Sequence, residues 1–195
     1  MNMITDGHLG GFIKEGDPAT FTPGLWRSLC VELEIKSVID VGCGMGYALI
    51  EFNKYCTDIL GLDGCRYVLE NSDMKSYIQE VDFCKGKPNV GSYDLCWSSE
   101  FVEHVEEKYM NNFLDIFCAS KYLAITYADV GQEGHHHVNC QPKEYWISVI
   151  EKMGMIYDEN STNRYRNIAK ADGEQYNPIY KNNHFSERGL FFRKK

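Results

Sequence analysis

A chain of 195 residues with 44% apolar, 25% charged and 13% aromatic residues is long enough for one domain with a full core and too apolar to stay disordered. Its 20 Lys and Arg stand against 28 Asp and Glu, a formal charge of −8, which works against a broad phosphate-binding surface and so against general nucleic-acid binding. No apolar run approaches the roughly 20 residues that a membrane span needs, so no membrane partner is expected.

In chain order, the first twenty residues, with Gly7, Gly10, Gly11, Gly16 and Pro18, have no periodicity and no basic stretch leading into an apolar one. They predict an irregular segment without an export signal, placed to cover a site. Thr22-Pro23 reads as a helix start, with Leu25, Leu29 and Leu33 on its buried face. From about residue 36, β-type runs alternate with amphipathic stretches, the pattern of an α/β domain. The predicted strands are Ser37–Val41, Ile59–Asp63, Tyr77–Asp82, Tyr93–Trp97 and Tyr122–Tyr127. A helix is expected from Tyr47 to about Tyr55, another carrying Val105, Tyr109, Phe113 and Phe117, and a third opened by Pro142, carrying Tyr145, Trp146, Val149, Ile150 and Met153 and stopped by Gly154. Met155–Tyr157 and Gly189–Arg193 read as a terminal hairpin of strands, separated by a polar stretch, Asp158 to Arg188, that predicts a long functional or mobile loop. The chain therefore divides into a lid segment and helix over residues 1–35, a core over 36–157 and a loop with a terminal strand over 158–195. Eight cysteines (Cys30, Cys43, Cys56, Cys65, Cys84, Cys96, Cys118 and Cys140) lack the paired short spacings of zinc or redox sites, and most sit in apolar runs. Free thiols in a reducing, cytoplasmic setting are expected.

The stretch Ser37-Val38-Ile39-Asp40-Val41-Gly42-Cys43-Gly44-Met45-Gly46-Tyr47 is a buried strand that runs through Gly-x-Gly-x-Gly into a helix. Glycines there allow a sharp turn and a ligand lying against backbone. Seventeen residues past Gly46, the second strand ends in Asp63, where a carboxylate can take both hydroxyls of a ribose. A dinucleotide site favours Gly-x-Gly-x-x-Gly; here the third glycine comes one residue early, and Asp40 precedes the first by two. A carboxylate is unfavourable beside a pyrophosphate and favourable beside the ammonium and sulfonium of S-adenosylmethionine. These residues resemble the first motif of the class I S-adenosylmethionine-dependent methyltransferases, and the likeness runs from about Leu25 to about Gly154. Val81-Asp82-Phe83 is similar to the family's adenine-binding position, more loosely. Tyr93 through Ser99-Glu100, followed by Phe101-Val102-Glu103-His104-Val105, resembles its fourth-strand motif.

The resemblance implies a Rossmann-like fold: a seven-stranded mixed sheet, last strand antiparallel, with helices on both faces. It implies S-adenosylmethionine as donor and S-adenosylhomocysteine as product, held by Asp40, Gly42, Cys43, Gly44, Gly46, Tyr47, Asp63, Gly64, Asp82, Phe83 and Ser98. No Asn-Pro-Pro-Tyr run follows the fourth strand, which argues against the amino-directed DNA and protein-glutamine methylases of this fold. A small-molecule acceptor methylated on a hydroxyl is expected. The rival readings are a module that binds the donor without turnover and a nucleotide-dependent oxidoreductase.

On the acceptor side, Gly131 through Asn139 follows the fifth strand and holds His135, His136 and His137, half of the chain's six histidines. Removing a proton from a hydroxyl suits an imidazole, whose pKa lies near neutrality. Three readings stay open: an imidazole serving the acceptor, two imidazoles with Glu133 or Asp129 on a divalent metal, or a structural run packed on Tyr145 and Trp146. His136 and His137 are the first candidates for catalysis, His104 the next, and no metal ligand is assigned. His8, Asp17 and Thr20 are candidates for an acceptor lid, and Arg164, Tyr165, Arg166, Lys170, Tyr176 and Tyr180 for an acceptor-binding loop.

Overall fold

The computed structural model describes residues 7–9 and 14–195; Gly10 and Gly11 lie outside them. Seven strands form one sheet: β1 (Ser37–Val41), β2 (Asp58–Asp63), β3 (Ile78–Glu80), β4 (Leu95–Ser98), β5 (Tyr122–Ile125), β6 (Met155–Tyr157) and β7 (Leu190–Lys194). Their order is β3-β2-β1-β4-β5-β7-β6, with β7 antiparallel to both its neighbours and the other pairings parallel. This is the mixed sheet expected, with β7 inserted between β5 and β6. The helices are α1 (Pro23–Glu32), α2 (Tyr47–Phe52), α3 (Arg66–Asn71), α4 (Asn111–Ala119), α5 (Lys143–Lys152), α6 (Glu159–Tyr176) and α7 (His184–Arg188).

Strand alternation builds two cores, because successive side chains point to opposite faces. Val38, Leu95, Trp97 and Phe191 pack on Leu25, Leu29, Leu49, Phe52 and Phe185, beneath α1, α2 and α7. Ile39, Cys96, Leu123 and Phe192 face Phe113, Phe117, Trp146 and Ile150 of α4 and α5. Among the described residues no helix is long and apolar enough to cross a membrane.

Four expectations need correction. The segment before α4 is not helical through Val105 and Tyr109; residues Val102–His104 and Glu107–Tyr109 are separate 3-10 turns. The Glu103 carbonyl accepts from Val138 N and Asn139 N, a tertiary clamp that takes this backbone out of a continuous helix. β4 begins at Leu95 rather than Tyr93, because the Asp94 carboxylate takes the Lys36 and Ser37 N–H groups at 2.9 and 3.1 Å in place of ladder bonds. β5 ends at Ile125, since the Thr126 hydroxyl turns to Glu100 N, 2.7 Å away. Most of Asp158–Arg188 is helix: α6, whose N-terminus Asp158 caps by accepting from Ser161 N, and the shorter α7, which Asn183 caps. Thr162, Tyr165, Ala169 and Asp172 are buried at helical spacing on α6, a stripe too polar to stand out in the sequence. Arg164 and Arg166 of that stretch are spent on Glu32 and on the Gly189 carbonyl.

Candidate active site

The order β3-β2-β1-β4 reverses between β1 and β4, and an open α/β sheet has its crevice above the carboxyl ends at such a point. A cavity of about 990 Å³ lies there, lined by both the glycine turn and the segment after β5.

The turn is built from backbone. Gly42 (φ +75°), Gly44 (φ +51°) and Gly46 (φ +79°) are left-handed, and Gly42 N and Cys43 N both donate to the Leu62 carbonyl. A Cβ on Gly42 would come within 2.5 Å of the Phe101 ring, so this position is closed to other residues on two counts. Asp63 organises both sides of the floor: Oδ2 accepts from Gly44 N at 2.9 Å and Oδ1 from Cys65 N at 2.8 Å. Asp40 is buried beside it. Burial first, then the Asp63 charge, raises the Asp40 carboxyl well above the usual carboxylate range, and burial likewise raises Asp63. A buried and a half-buried acid on one cavity favour a cationic ligand there.

Of the residues the sequence put at the donor, Asp40, Gly42, Cys43, Gly44, Tyr47, Asp63, Gly64, Asp82 and Phe83 line the cavity. Gly46 stands behind it as the left-handed N-cap of α2. Ser98 is elsewhere: it is buried and its hydroxyl donates to the Val41 carbonyl at 2.8 Å, tying β4 to β1. Asp82 works in two directions, with Oδ1 accepting from Cys84 N and Oδ2 meeting His8 Nε2 at 3.0 Å.

The opposite wall gathers groups from distant parts of the chain. His104 and His137 line the cavity, their rings 5.0 Å apart and edge to face. His104 Nδ1 donates to the His135 carbonyl at 2.8 Å and His137 Nδ1 to the Gln132 carbonyl at 2.9 Å. A carbonyl can only accept, so each Nδ1 carries the proton, and any lone pair on either ring is the one on Nε2. Burial, then His137, lowers the His104 pKa to about 4, which keeps that ring neutral. His136 does not line the cavity; it has φ +48° and its ring lies 6.2 Å from that of His8. The left-handed turn at His136 interrupts the run, and His135 and His137 line the cavity where His136 does not.

Sequence reasoning passed over Glu100, Glu103 and His184. Glu103 is completely buried, both its carboxylate oxygens lack a hydrogen-bond partner, and burial followed by the Glu100 charge raises its pKa. It stood beside His104 in the motif quoted above, and its burial was the missing signal. Glu100 lines the cavity at φ +50°. His184, inside the stretch read as loop, reaches Asp17 Oδ2 with Nε2 at 3.2 Å, while its Nδ1 faces Arg188 at 2.9 Å and Glu100 at 3.6 Å. Asp17 and Thr20 line the cavity, with Glu15, Gly16, Pro18 and His8.

This latch should be pH-dependent. Burial pulls the His184 pKa down, but the Asp17 hydrogen bond and the Glu100 and Asp17 charges outweigh it, leaving it above 6.5. The hydrogen bond from His184 pulls Asp17 below its usual 3.8, against the effect of burial. A raised histidine contributes stability in full below its unfolded value and loses it as pH rises through the folded value; the lowered acid loses its share only in strong acid. Melting temperature should therefore decline with pH above about 6.5, and His184→Gln should flatten that decline. Parallel curves for the two proteins would show the latch to be inert.

Residues 39–118 match the family model described as a methyltransferase domain. The fold is similar to a TehB-like S-adenosylmethionine-dependent methyltransferase from Corynebacterium glutamicum (TM-score 0.60, 16% identity, 88% of each chain covered). It is similar also to the methyltransferase domain of a bacterial Hen1 protein (TM-score 0.59, 16% identity, 88% of this chain and 96% of that one). A third likeness is to magnesium protoporphyrin IX methyltransferase from Synechocystis, solved with S-adenosylhomocysteine bound (TM-score 0.56, 13% identity, 69% and 72% covered). No curated protein matches the chain in sequence.

Proposed function

We propose that the chain is a class I, S-adenosylmethionine-dependent methyltransferase, a reading supported by the match of residues 39–118 to a methyltransferase domain and by the similar folds, and that it methylates a hydroxyl of a small, uncharged or cationic acceptor held beneath residues 14–20. One observation carries the acceptor class. Among the described residues the cavity lining includes seven acids (Glu15, Asp17, Asp40, Asp63, Asp82, Glu100 and Glu133) and no Lys or Arg. A phosphate-rich acceptor would meet repulsion there, and nucleic-acid contacts rest mainly on Lys and Arg at phosphates. The volume, at the upper end for ligand sites, suits a donor and a small acceptor together.

In this reading Asp63 takes the ribose hydroxyls, Asp40 the cationic end of the donor, and Asp82 with Phe83 the adenine. When bound, S-adenosylmethionine supplies a methyl group that moves in line to the acceptor oxygen, the carbon–sulfur bond breaking with its electron pair left on sulfur. The chain's part is alignment, exclusion of water by residues 14–20, and disposal of the hydroxyl proton at the wall formed by His104 and His137. Calorimetry with S-adenosylmethionine, S-adenosylhomocysteine and NAD should show micromolar binding of the first two and none of NAD. A panel of hydroxylated small molecules and an oligonucleotide should then yield S-adenosylhomocysteine from the small molecules only. His137→Gln should keep donor affinity and lose about 10²- to 10⁴-fold in transfer. Donor binding with no transfer to any hydroxyl, or transfer to the oligonucleotide, would overturn the proposal.

A further inference from the structure

We infer that Glu103, His104 and His137 form a binding site for one divalent first-row metal ion of the zinc class, with its open side toward the acceptor part of the cavity. The three side chains come from two segments, the turn after β4 and the histidine run after β5, and are clamped together by the Val138 and Asn139 N–H groups on the Glu103 carbonyl. One donor atom from each lies within 4.8 Å of the other two. Ligands on a single ion, about 2.1 Å from it, stand roughly 3–3.5 Å apart, so a small inward shift of the side chains completes the set.

Two further observations point to a cation. Glu103 is fully buried with both oxygens unpartnered, an arrangement that is costly unless something positive or a donor meets them. Neither His104 nor His137 meets them in the hydrogen bonding, since each spends Nδ1 on a backbone carbonyl. That same use of Nδ1 is the second observation. Histidines on metals commonly donate their other nitrogen to a carbonyl, which fixes the ring and leaves Nε2 for the ion. Two imidazoles and one carboxylate select a zinc-class ion over magnesium or calcium, which prefer all-oxygen sets. Three protein ligands leave at least one position open, and His104 and His137 both border the cavity.

The inference rests on the proposed hydroxyl methylation for its purpose but not for its test. With the ion in place, the acceptor oxygen contacts the metal instead of an imidazole; its charge is stabilised there, and the released proton passes to water. Glu133 and Asp129, weighed from the sequence as partners of the histidines, are outside this cluster.

The test is stripping the protein with a chelator, then titrating Zn²⁺ and Co²⁺ by calorimetry and by the visible absorption of bound Co²⁺, with S-adenosylhomocysteine affinity measured on the same samples. One ion per chain is expected, with Glu103→Gln, His104→Gln and His137→Gln each weakening it at least tenfold while circular dichroism and S-adenosylhomocysteine affinity hold. Glu103→Gln is the safeguard, because it removes a buried charge at constant shape and should not unfold the chain. Wild-type protein that takes up S-adenosylhomocysteine but no ion, or variants that bind the ion as wild type does, would overturn the metal site and leave the methyltransfer reading intact. Ion binding lost in the variants of a protein that ignores S-adenosylhomocysteine would support the site and sink that reading.

Discussion

Asp63→Ala should weaken binding of S-adenosylmethionine and S-adenosylhomocysteine alike by roughly 2–3 kcal/mol, about 30- to 160-fold, because both ligands carry the same ribose. Hydrogen bonds to an ionised acceptor stand at the strong end of the range, and this carboxylate is half-buried on the cavity floor. Its position is fixed before any ligand arrives: Gly44 N and Cys65 N hold the two oxygens from opposite sides. The same contacts mean that alanine also leaves two loop N–H groups without their partner. Asp63→Asn separates the effects, since it keeps one acceptor oxygen for the loops and loses the charge. Calorimetric titration of both variants, with melting curves as a control, decides the assignment. An unchanged dissociation constant in a folded Asp63→Ala protein would remove Asp63 from the donor site.

The parts of this molecule that could be read from its sequence are those where local pattern and tertiary role coincide. Val38, Ile39 and Val41 are apolar because they are buried in a parallel sheet covered on both faces, so the strand was visible, and the glycines after it announced a turn whose left-handed geometry they provide. Asp63 was legible for the same reason, as an acid ending a strand at a fixed interval from that turn. Ser98 misled because a strand-end hydroxyl near the cavity looks the same in sequence whether it faces a ligand or, as here, the Val41 carbonyl. Glu103 was overlooked because nothing in Phe101-Val102-Glu103-His104 says which residue is the buried one. His184 and α6 were lost together. The buried stripe of α6 is Thr162, Tyr165, Ala169 and Asp172, and an apolar periodicity cannot be seen where threonine and aspartate occupy core positions. Their burial makes sense only once α1, some 150 residues earlier, is brought against them.

That packing leads to the largest expected effect on stability. Thr22 has the residue type of an N-cap but makes no side-chain cap to its own helix; its hydroxyl donates instead to Asp172 Oδ2 at 2.7 Å. The Asp172 carboxylate then accepts from Leu25 N at 3.0 Å and Gly24 N at 3.2 Å, so α6 caps α1 across the fold. A negative charge at this end also complements the helix dipole. Gly24 is what permits the approach, because a Cβ there would stand 2.5 Å from Oδ1. Asp172→Ala strands three donors at once, two of them buried, and a cost of about 3–4 kcal/mol is expected, a fall in melting temperature of roughly 10 °C for a chain of this size. Asp172→Asn, which retains one acceptor oxygen, should lose about half as much. Residues 14–20 run directly into the N-terminus of α1, so the loosened helix should also weaken donor binding. The two variants are then distinguishable: Asp63→Ala, which strands only two loop N–H groups, should lose more in affinity than in melting temperature, whereas Asp172→Ala should lose more in melting temperature. Should Asp172→Ala melt with the wild type, the capping contacts would be replaceable by water and α1 would be held by its apolar face alone.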